Sequence, residues 1–164
     1  MVCDARFMIT KVVAKWPGSV HDSRIFRESG LCRRFEEGQF DGHLLGDSGY
    51  ACRQFLLTPY LRPNTPAQER YNEALTKTRV TIEQTFGVLK RRFPCLKYGL
   101  RVSPARACGT IVACVILHNF GMVRGDTIQR EIVDDEDPPG NDIQVAAGQT
   151  GLRYRDTIVD RYFS

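Results

Sequence analysis

The chain has 164 residues, 42% of them hydrophobic and 26% charged, which is ordinary composition for one folded domain with its own core. We identify no run close to the roughly 18 apolar residues of a membrane span and no basic, apolar start typical of a signal peptide. We therefore expect a soluble, intracellular protein with no membrane partner. The six cysteines form no C-x-x-C pair, so neither a zinc finger nor a disulfide framework is indicated.

Positive charge is concentrated in the first three quarters of the sequence. Residues 1–125 carry a net charge of +9 and residues 126–164 carry −5, which gives the overall +4. A basic body suits a polyanionic partner such as nucleic acid, because neutralised phosphates release counterions. The acidic stretch within residues 125–151 has little to bury and is predicted to be a solvated linker. Residues 152–164 have spaced apolar positions and are predicted to form a short docked helix.

The first predicted element is a hairpin, in which a tight turn at residues 4–6 joins a short strand to a second strand over residues 7–16. One helix is predicted to follow, from Ser19 to Gly38, because apolar residues recur there at helical spacing. Residues 43–46 and 55–57 are candidates for two short buried strands.

A long helix is predicted from residue 66 to residue 92, with Thr65 as the N-cap and Pro66 at the first helical position. Ser103 and Pro104 repeat this start signal and predict a second long helix that ends near residues 121–125. Strands and helices alternate, which favours an α/β or α+β class built on a small sheet. The buried stripe of the first long helix is expected to contain Tyr71, Leu75, Thr78, Ile82, Phe86 and Leu89.

Asp47 comes directly after the strand predicted at residues 43–46. Ligand sites in open α/β sheets form beyond the carboxyl ends of strands, and a carboxylate placed there offers the hard oxygen ligands that Mg²⁺ prefers. The alternative is an Asp-x-Gly turn, in which the side chain caps the backbone.

Glu83 is the second candidate carboxylate. It lies on the flank of the long helix, about a quarter turn from the centre of the predicted stripe, and Gly87 one turn later permits close approach. The alternative is a surface pair with Arg79. Between Asp47 and Glu83 lie 35 residues. A strand-end aspartate followed at this distance by a helix glutamate resembles the D-D-35-E spacing of transposases and integrases.

Several blocks in collinear order closely resemble the PIF/Harbinger transposase-derived nuclease family, over about residues 2 to 124. The ending 161–164 is similar to the close of the domesticated members of this family in animals. The resemblance implies an RNase H-like transposase/integrase core and metal-dependent cleavage or strand transfer at DNA phosphodiesters. The blocks that carry it are Val2–Asp4, Trp16–Ser23, Leu44–Tyr50, Leu57–Tyr60, Glu69–Asn72, Ile82–Phe93 and Ile116–Asn119.

By motif, Asp47 matches the second catalytic acid of the family and Glu83 the third, and the resemblance implies that both bind Mg²⁺ or Mn²⁺. The first acid of the family lies on the first, central strand, upstream of the segment that matches Val2–Asp4. The resemblance therefore implies an N-terminally truncated fragment with an incomplete core and impaired activity. Asp4 and Asp22 are second-rank acidic candidates, for which a turn and a first helical turn are the favoured structural alternatives.

Four basic residues of the long helix, Arg79, Lys90, Arg91 and Arg92, are candidate phosphate contacts, and the alternative for them is a solvated helix face. In the family a separate Myb/SANT-like protein supplies sequence-specific DNA binding, so the resemblance implies DNA and such a protein as partners. It also implies the nucleus as the location, with the cytoplasm second.

The expected organisation is a partial DDE transposase/nuclease domain over residues 1–124, an acidic linker over 125–151 and a short helix over 152–164. The alternative function is a non-catalytic, transposon-derived remnant that binds DNA or a Myb-like protein.

Overall fold

A computed structural model describes residues 1–15, 20–126 and 148–164. The mixed α/β class is confirmed, and helices predominate over short strands. Most of the predicted acidic linker, and the predicted helix start at Ser19, lie outside the described residues. The elements are β1 (Val2–Cys3), β2 (Ile9–Lys11), α1 (Asp22–Arg27), α2 (Gly30–Glu36), β3 (Leu44–Leu45), β4 (Leu56–Leu57), α3 (Pro66–Arg92), α4 (Cys95–Tyr98), α5 (Pro104–Val123) and α6 (Gln149–Tyr162).

The chain divides into two compact units. The first unit contains residues 1–17 and 80–136, and the second contains residues 18–79 and 137–164. Within the described residues each unit has one two-stranded sheet, β1 with β2 in the first and β3 with β4 in the second. Each unit therefore has its own core and is described by itself.

In the first unit, the predicted hairpin is confirmed as the antiparallel pair of β1 and β2. The Asp4 carboxylate closes its turn, because Oδ1 accepts hydrogen bonds from the backbone N–H groups of Arg6 at 2.8 Å and Met8 at 3.0 Å. The second strand ends at Lys11, earlier than predicted. The structural role favoured for Asp4 is thus observed.

Helix α5 forms the other side of this core. Ile9 of β2 packs with Leu89, Cys114 and Val115. Asn119 pairs with both backbone groups of Ile9: its Oδ1 accepts from the Ile9 N–H at 2.9 Å, and its Nδ2 donates to the Ile9 carbonyl at 2.8 Å. The asparagine therefore occupies a position like that of a neighbouring strand.

The opposite face of α5 is exposed and uninterruptedly apolar from residue 109 to residue 123. By length and composition this 20-residue helix is long and apolar enough to cross a membrane, which corrects the expectation that no such run exists. Core helices of soluble proteins have the same character, and α5 contributes Cys114, Val115 and His118 to the first unit's interior. The exposed face contains Gly109, Val112, Ala113, Ile116, Leu117, Phe120 and Val123.

In the second unit, β3 and β4 pair in parallel, with Leu44 opposite Leu56 and Leu45 opposite Leu57. The single helix predicted before them is wrong, since the chain forms α1 and α2. The break lies at Ser29, whose backbone is extended and whose Oγ accepts from the Cys32 N–H at 3.2 Å. A serine in this position caps a new helix instead of continuing the old one.

Helix α3 begins and ends as predicted, and Thr65 caps it by accepting from the Gln68 N–H at 3.3 Å. Its predicted stripe is only partly right. Tyr71, Leu75 and Leu89 are buried, whereas Thr78 and Phe86 are exposed. Pro66–Arg79 belongs to the second unit and Val80–Arg92 to the first, and each half buries its own face. In the first unit that face includes Thr85 and Val88, which a single 3.6-residue stripe does not contain.

Helix α6 confirms the predicted C-terminal helix and begins at Gln149. It packs on the second unit through Val159, which joins Leu57, Tyr71 and Leu75 in one buried cluster. The closest approach is at Gly151, where an added Cβ would overlap the backbone of Cys52 and Arg53. Only glycine fits this contact without displacing the helix.

Replacing Gly151 with alanine should therefore lower the free energy of unfolding by about 1–3 kcal/mol, because the added methyl group meets backbone atoms that cannot rotate away. The matched control is Gly109→Ala on the exposed face of α5, where no atom lies within 4 Å of the added carbon. This change should raise stability by about 0.5–1 kcal/mol through helix propensity. Urea unfolding of both variants measures the difference, and equal stabilisation by both would contradict the close approach at α6.

His118 gives the first unit a pH dependence. Its side chain is fully buried, Nε2 donates to the Phe7 carbonyl at 3.0 Å, and burial lowers its pKa below the ordinary value of 6.5. The unfolded chain therefore binds this proton more tightly than the folded chain does. The contribution of neutral His118 is complete above about pH 6.5 and is lost as the pH falls below that value.

Thermal unfolding between about pH 7.5 and about pH 5.5 should accordingly show a smaller loss of stability in His118→Gln than in the wild type. The control is His21→Gln, which alters an exposed imidazole at the start of α1 and should keep the wild-type pH dependence. An unchanged pH dependence in the His118 variant would contradict the neutral, buried imidazole.

Candidate functional site

Asp47 lies two residues beyond β3, at the carboxyl end of the parallel pair, as the sequence predicts. Its Oδ1 accepts from the Gly49 N–H at 2.8 Å, so the Asp-x-Gly turn is formed. Its Oδ2 lies 3.8 Å from Nη2 of Arg79 on α3. The Asp47 side chain nevertheless remains 48% exposed, which leaves the carboxylate open to solvent and to a bound cation.

Tyr50 lies in the same loop, and nearby charges affect the pKa of its hydroxyl. Its ring packs edge-on to Phe26 of α1, with centroids 6.0 Å apart. Burial raises the pKa of the Tyr50 hydroxyl, and the negative charges of Asp22 and Asp47 raise it further, while Arg79 opposes them. The second unit therefore brings two of the predicted acids, Asp22 and Asp47, near one phenol. Asp22 also lies in the first turn of α1, the structural position expected for it.

The other two predicted acids belong to the first unit. Glu83 is exposed on α3, and Asp4 closes the hairpin turn. Within α3, Arg79 and Glu83 are four residues apart, a spacing that places both side chains on one face of a helix. The joint binding of a metal by Asp47 and Glu83 stays a prediction.

The predicted phosphate-binding residues are partly engaged in the structure of each unit. Arg92 donates from Nη1 to the His118 carbonyl at 3.0 Å and from Nη2 to the Asp126 carbonyl at 3.3 Å, and it crosses α5 at Gly121. Arg91 is half-buried, and its Nε has no hydrogen-bond partner among the described residues. Arg79 pairs with Asp47, and Lys90 is half-buried. Contact of these residues with DNA stays a prediction.

Three side chains that line a cavity together with Ser48, the residue after Asp47, were not singled out from the sequence. Arg155 of α6 is buried against the turn that follows β4, Tyr60 stacks beneath its guanidinium at 3.6 Å, and Arg62 lies on the same turn. The sequence does contain one sign of the role of Arg155. It lies four residues from both Gly151 and Val159, so the helical period places an arginine on the buried face of α6.

The carboxylates of the described residues do not by themselves make a two-metal site. In residues 1–15, 20–126 and 148–164, no group of three or more His, Cys, Asp or Glu side chains is arranged to hold a metal ion. Both oxygens of Asp47 already face positive partners, the Gly49 N–H and Arg79. The oxygen chemistry of Asp47 suits Mg²⁺ or Mn²⁺, but the ligand set is too small, and we assign no reaction step to a metal.

A strand-end aspartate on a parallel pair, followed by a long helix that carries a glutamate, is the arrangement of a DDE-type endonuclease domain. The family model of the DDE superfamily endonucleases matches residues 1–119, and this chain belongs to that family. The family implies an RNase H-like fold, and its members typically use divalent metal ions. Together with the similarity to the animal nuclease HARBI1, this match confirms the resemblance to PIF/Harbinger-derived nucleases.

The animal relatives are nucleases by name, and a plant relative has a different name. The human protein "Putative nuclease HARBI1" is 43% identical over 129 residues, which cover 76% of this chain and 37% of the human protein. The rat HARBI1 is 38% identical over the whole of this chain and 49% of its own length. "Protein ALP1-like" of Arabidopsis thaliana is 27% identical over 93% of this chain and 38% of its own length. This chain thus spans less than half the length of these relatives. No solved structure matches it.

Asp47→Asn should change the free energy of unfolding by no more than about 1 kcal/mol, because the Arg79 pair is partly exposed and the amide oxygen can still accept from Gly49. Thermal and urea unfolding measure this. The control is Asp41→Asn, which neutralises an exposed carboxylate in the same unit. A loss of several kcal/mol specific to the Asp47 variant would show that this carboxylate supports the fold.

Proposed function

We propose that the chain is the catalytic-core portion of a metal-dependent DNA endonuclease of PIF/Harbinger descent, which cleaves phosphodiesters or transfers strands in the nucleus. The observation that carries this proposal is the position of Asp47, half-exposed at the carboxyl end of a parallel pair inside the segment that matches the DDE family. Sites at this end of a sheet are where α/β proteins bind their ligands.

Asp47 is proposed as one metal-binding acid. The Gly49 N–H fixes one oxygen, and this holds the side chain in a single orientation after the strand. The second oxygen lies 3.8 Å from Nη2 of Arg79. A carboxylate that is oriented and open to solvent can exchange this arginine for a divalent cation.

Glu83 is proposed as the second acid, on the helix face that it shares with Arg79. Two carboxylates are fewer than a two-metal site requires, so we propose that a polypeptide of these 164 residues has impaired activity and that a further acid completes the set. We also propose that the sheet of the catalytic core is incomplete in these 164 residues. Each sheet in the described residues has two strands, and we propose that the complete core has more.

DNA is the proposed substrate, with Arg79, Lys90, Arg91 and Arg92 as phosphate contacts that orient the duplex without reading its sequence. A separate Myb/SANT-like protein is the proposed source of sequence specificity. The net charge of +9 on residues 1–125 supports binding of a polyanion.

A second candidate is a non-catalytic remnant that binds DNA or a Myb-like protein. The observation that favours it is the Asp47–Arg79 pair, in which a cation of the protein itself already faces the carboxylate. In this reading the basic surface is retained for binding, and Asp47 serves only the turn.

Nicking of supercoiled plasmid with Mg²⁺ or Mn²⁺ separates the two candidates. The nuclease proposal expects slow, metal-dependent nicking that falls to background in Asp47→Asn and in Glu83→Gln, because each variant removes one ligand charge. The matched controls are Asp41→Asn and Glu73→Gln. The latter alters an exposed acid on the same helix as Glu83, and both controls should keep wild-type activity.

Equal nicking by the wild type and all four variants would dismiss catalysis at this site. Retention of plasmid in a mobility-shift assay, with no metal-dependent nicking by the wild type, would favour the non-catalytic candidate.

A further inference from the structure

A cavity of about 250 Å³ opens in the second unit beside the loop that follows Asp47. Three segments supply its walls: the loop itself, the turn after β4 and the first turns of α6. Among the described residues that line it there are two arginines and no carboxylate. This charge balance favours an anionic ligand. The residues that carry the argument are Ser48, Tyr50, Tyr60, Arg62, Leu152 and Arg155.

Arg155 is the unusual group at this cavity. The residue is only 8% exposed, and its Nη1 donates to the carbonyls of Thr58 at 3.3 Å and Pro59 at 3.0 Å. These neutral carbonyls and the Tyr60 ring stabilise the guanidinium without cancelling its charge. No carboxylate of the described chain lies within ion-pair distance of Arg155, and its Nε is buried without a hydrogen-bond partner there. A buried positive charge is costly unless an anion compensates it.

Arg62 adds a second positive charge to the same cavity. It lies on an exposed turn and makes no ion pair with the described residues. The planar fork of a guanidinium matches the oxygens of a phosphate group, which makes two converging arginines a typical phosphate site. The volume lies below the roughly 300–1,000 Å³ of pockets for drug-sized ligands, so the cavity suits a phosphate with part of its sugar.

We propose that this cavity is a subsite for a phosphate group, which Arg155 holds from the interior and Arg62 from the mouth. The proposal rests on the proposed nuclease function for the source of the phosphate, which is a DNA strand. Ser48 is the residue after Asp47, Tyr50 is three positions on, and both line the cavity, so we expect a strand anchored there to pass near the Asp47 carboxylate. Free inorganic phosphate offers the same oxygen atoms to the two arginines. A binding experiment with both ligands distinguishes it from a DNA strand.

The test measures binding of two probes to the full chain by isothermal titration calorimetry at constant ionic strength: inorganic phosphate and a short single-stranded oligonucleotide with a 5′-phosphate. Arg62→Ala and Arg155→Lys should each weaken both affinities by about tenfold. The first removes a charge-assisted contact, and the second keeps a positive charge but loses the planar guanidinium fork. The matched control is Arg161→Ala, which removes an exposed charge from the same helix outside the cavity and should leave both affinities unchanged. If Arg155→Lys does not fold, Arg62→Ala alone still tests the proposal, because Arg62 is exposed.

Equal affinity for inorganic phosphate in the wild type and Arg62→Ala would overturn the subsite, as would an equal loss in Arg62→Ala and Arg161→Ala. Tighter binding of the phosphorylated oligonucleotide than of inorganic phosphate supports a DNA strand as the ligand, and equal or weaker binding overturns that assignment. Asp47→Asn keeps this proposal separate from the nuclease proposal. It should retain phosphate affinity even where it abolishes nicking, so failure of one proposal is visible without failure of the other.

Discussion

Each compact unit depends on an asparagine that pairs with both backbone groups of one residue. Asn119 of α5 does so with Ile9 in the first unit, and Asn72 of α3 does so with Tyr60 in the second, where the two hydrogen bonds are each 2.9 Å long. Strands of two or three residues cannot satisfy their own backbone, so a helix side chain must replace the missing neighbour. The asparagine fixes the position of the strand or turn relative to its helix, and the buried apolar clusters form around that contact.

In the second unit this constraint also arranges the charges. Tyr60 is held by Asn72, its ring lies beneath Arg155, and its hydroxyl donates to Asp156 at 2.5 Å. Burial, together with this hydrogen bond to a carboxylate, raises the pKa of Tyr60 to about 12, so the phenol stays neutral. A neutral ring can accept the guanidinium, whereas a phenolate would form an ion pair and remove its free charge. The turn after β4 thus holds Arg155 beside the cavity with no ion-pair partner among the described residues.

Local signals in the sequence predicted much of this fold. Asp4 in a turn and Thr65 before Pro66 each accept hydrogen bonds from backbone N–H groups a few residues away, and Ser103 precedes Pro104 as the N-cap of α5 without a side-chain hydrogen bond. The hairpin and both long helices are found where these signals place them. The break at Ser29 was missed because the apolar spacing of residues 20–35 continues through it. The buried face of α3 was missed in part because two cores, each built from distant segments, bury different faces of one helix. Arg155 was missed for the same reason, since its partners at residues 58–60 are almost a hundred positions away.

The proposed function requires an acidic centre to accept an acidic substrate. Isolated carboxylates repel a phosphate backbone, so a nuclease that binds metal through aspartate and glutamate needs compensating positive charge nearby. In the second unit, Arg79 faces Asp47 directly, while Arg62 and Arg155 line the adjoining cavity without an acidic partner among the described residues. Arg79 offsets the charge of the carboxylate, and under the proposed function Arg62 and Arg155 attract the anion. These arginines come from α3, from the turn after β4 and from α6, so the fold of the unit, and no local sequence motif, creates the charge pattern.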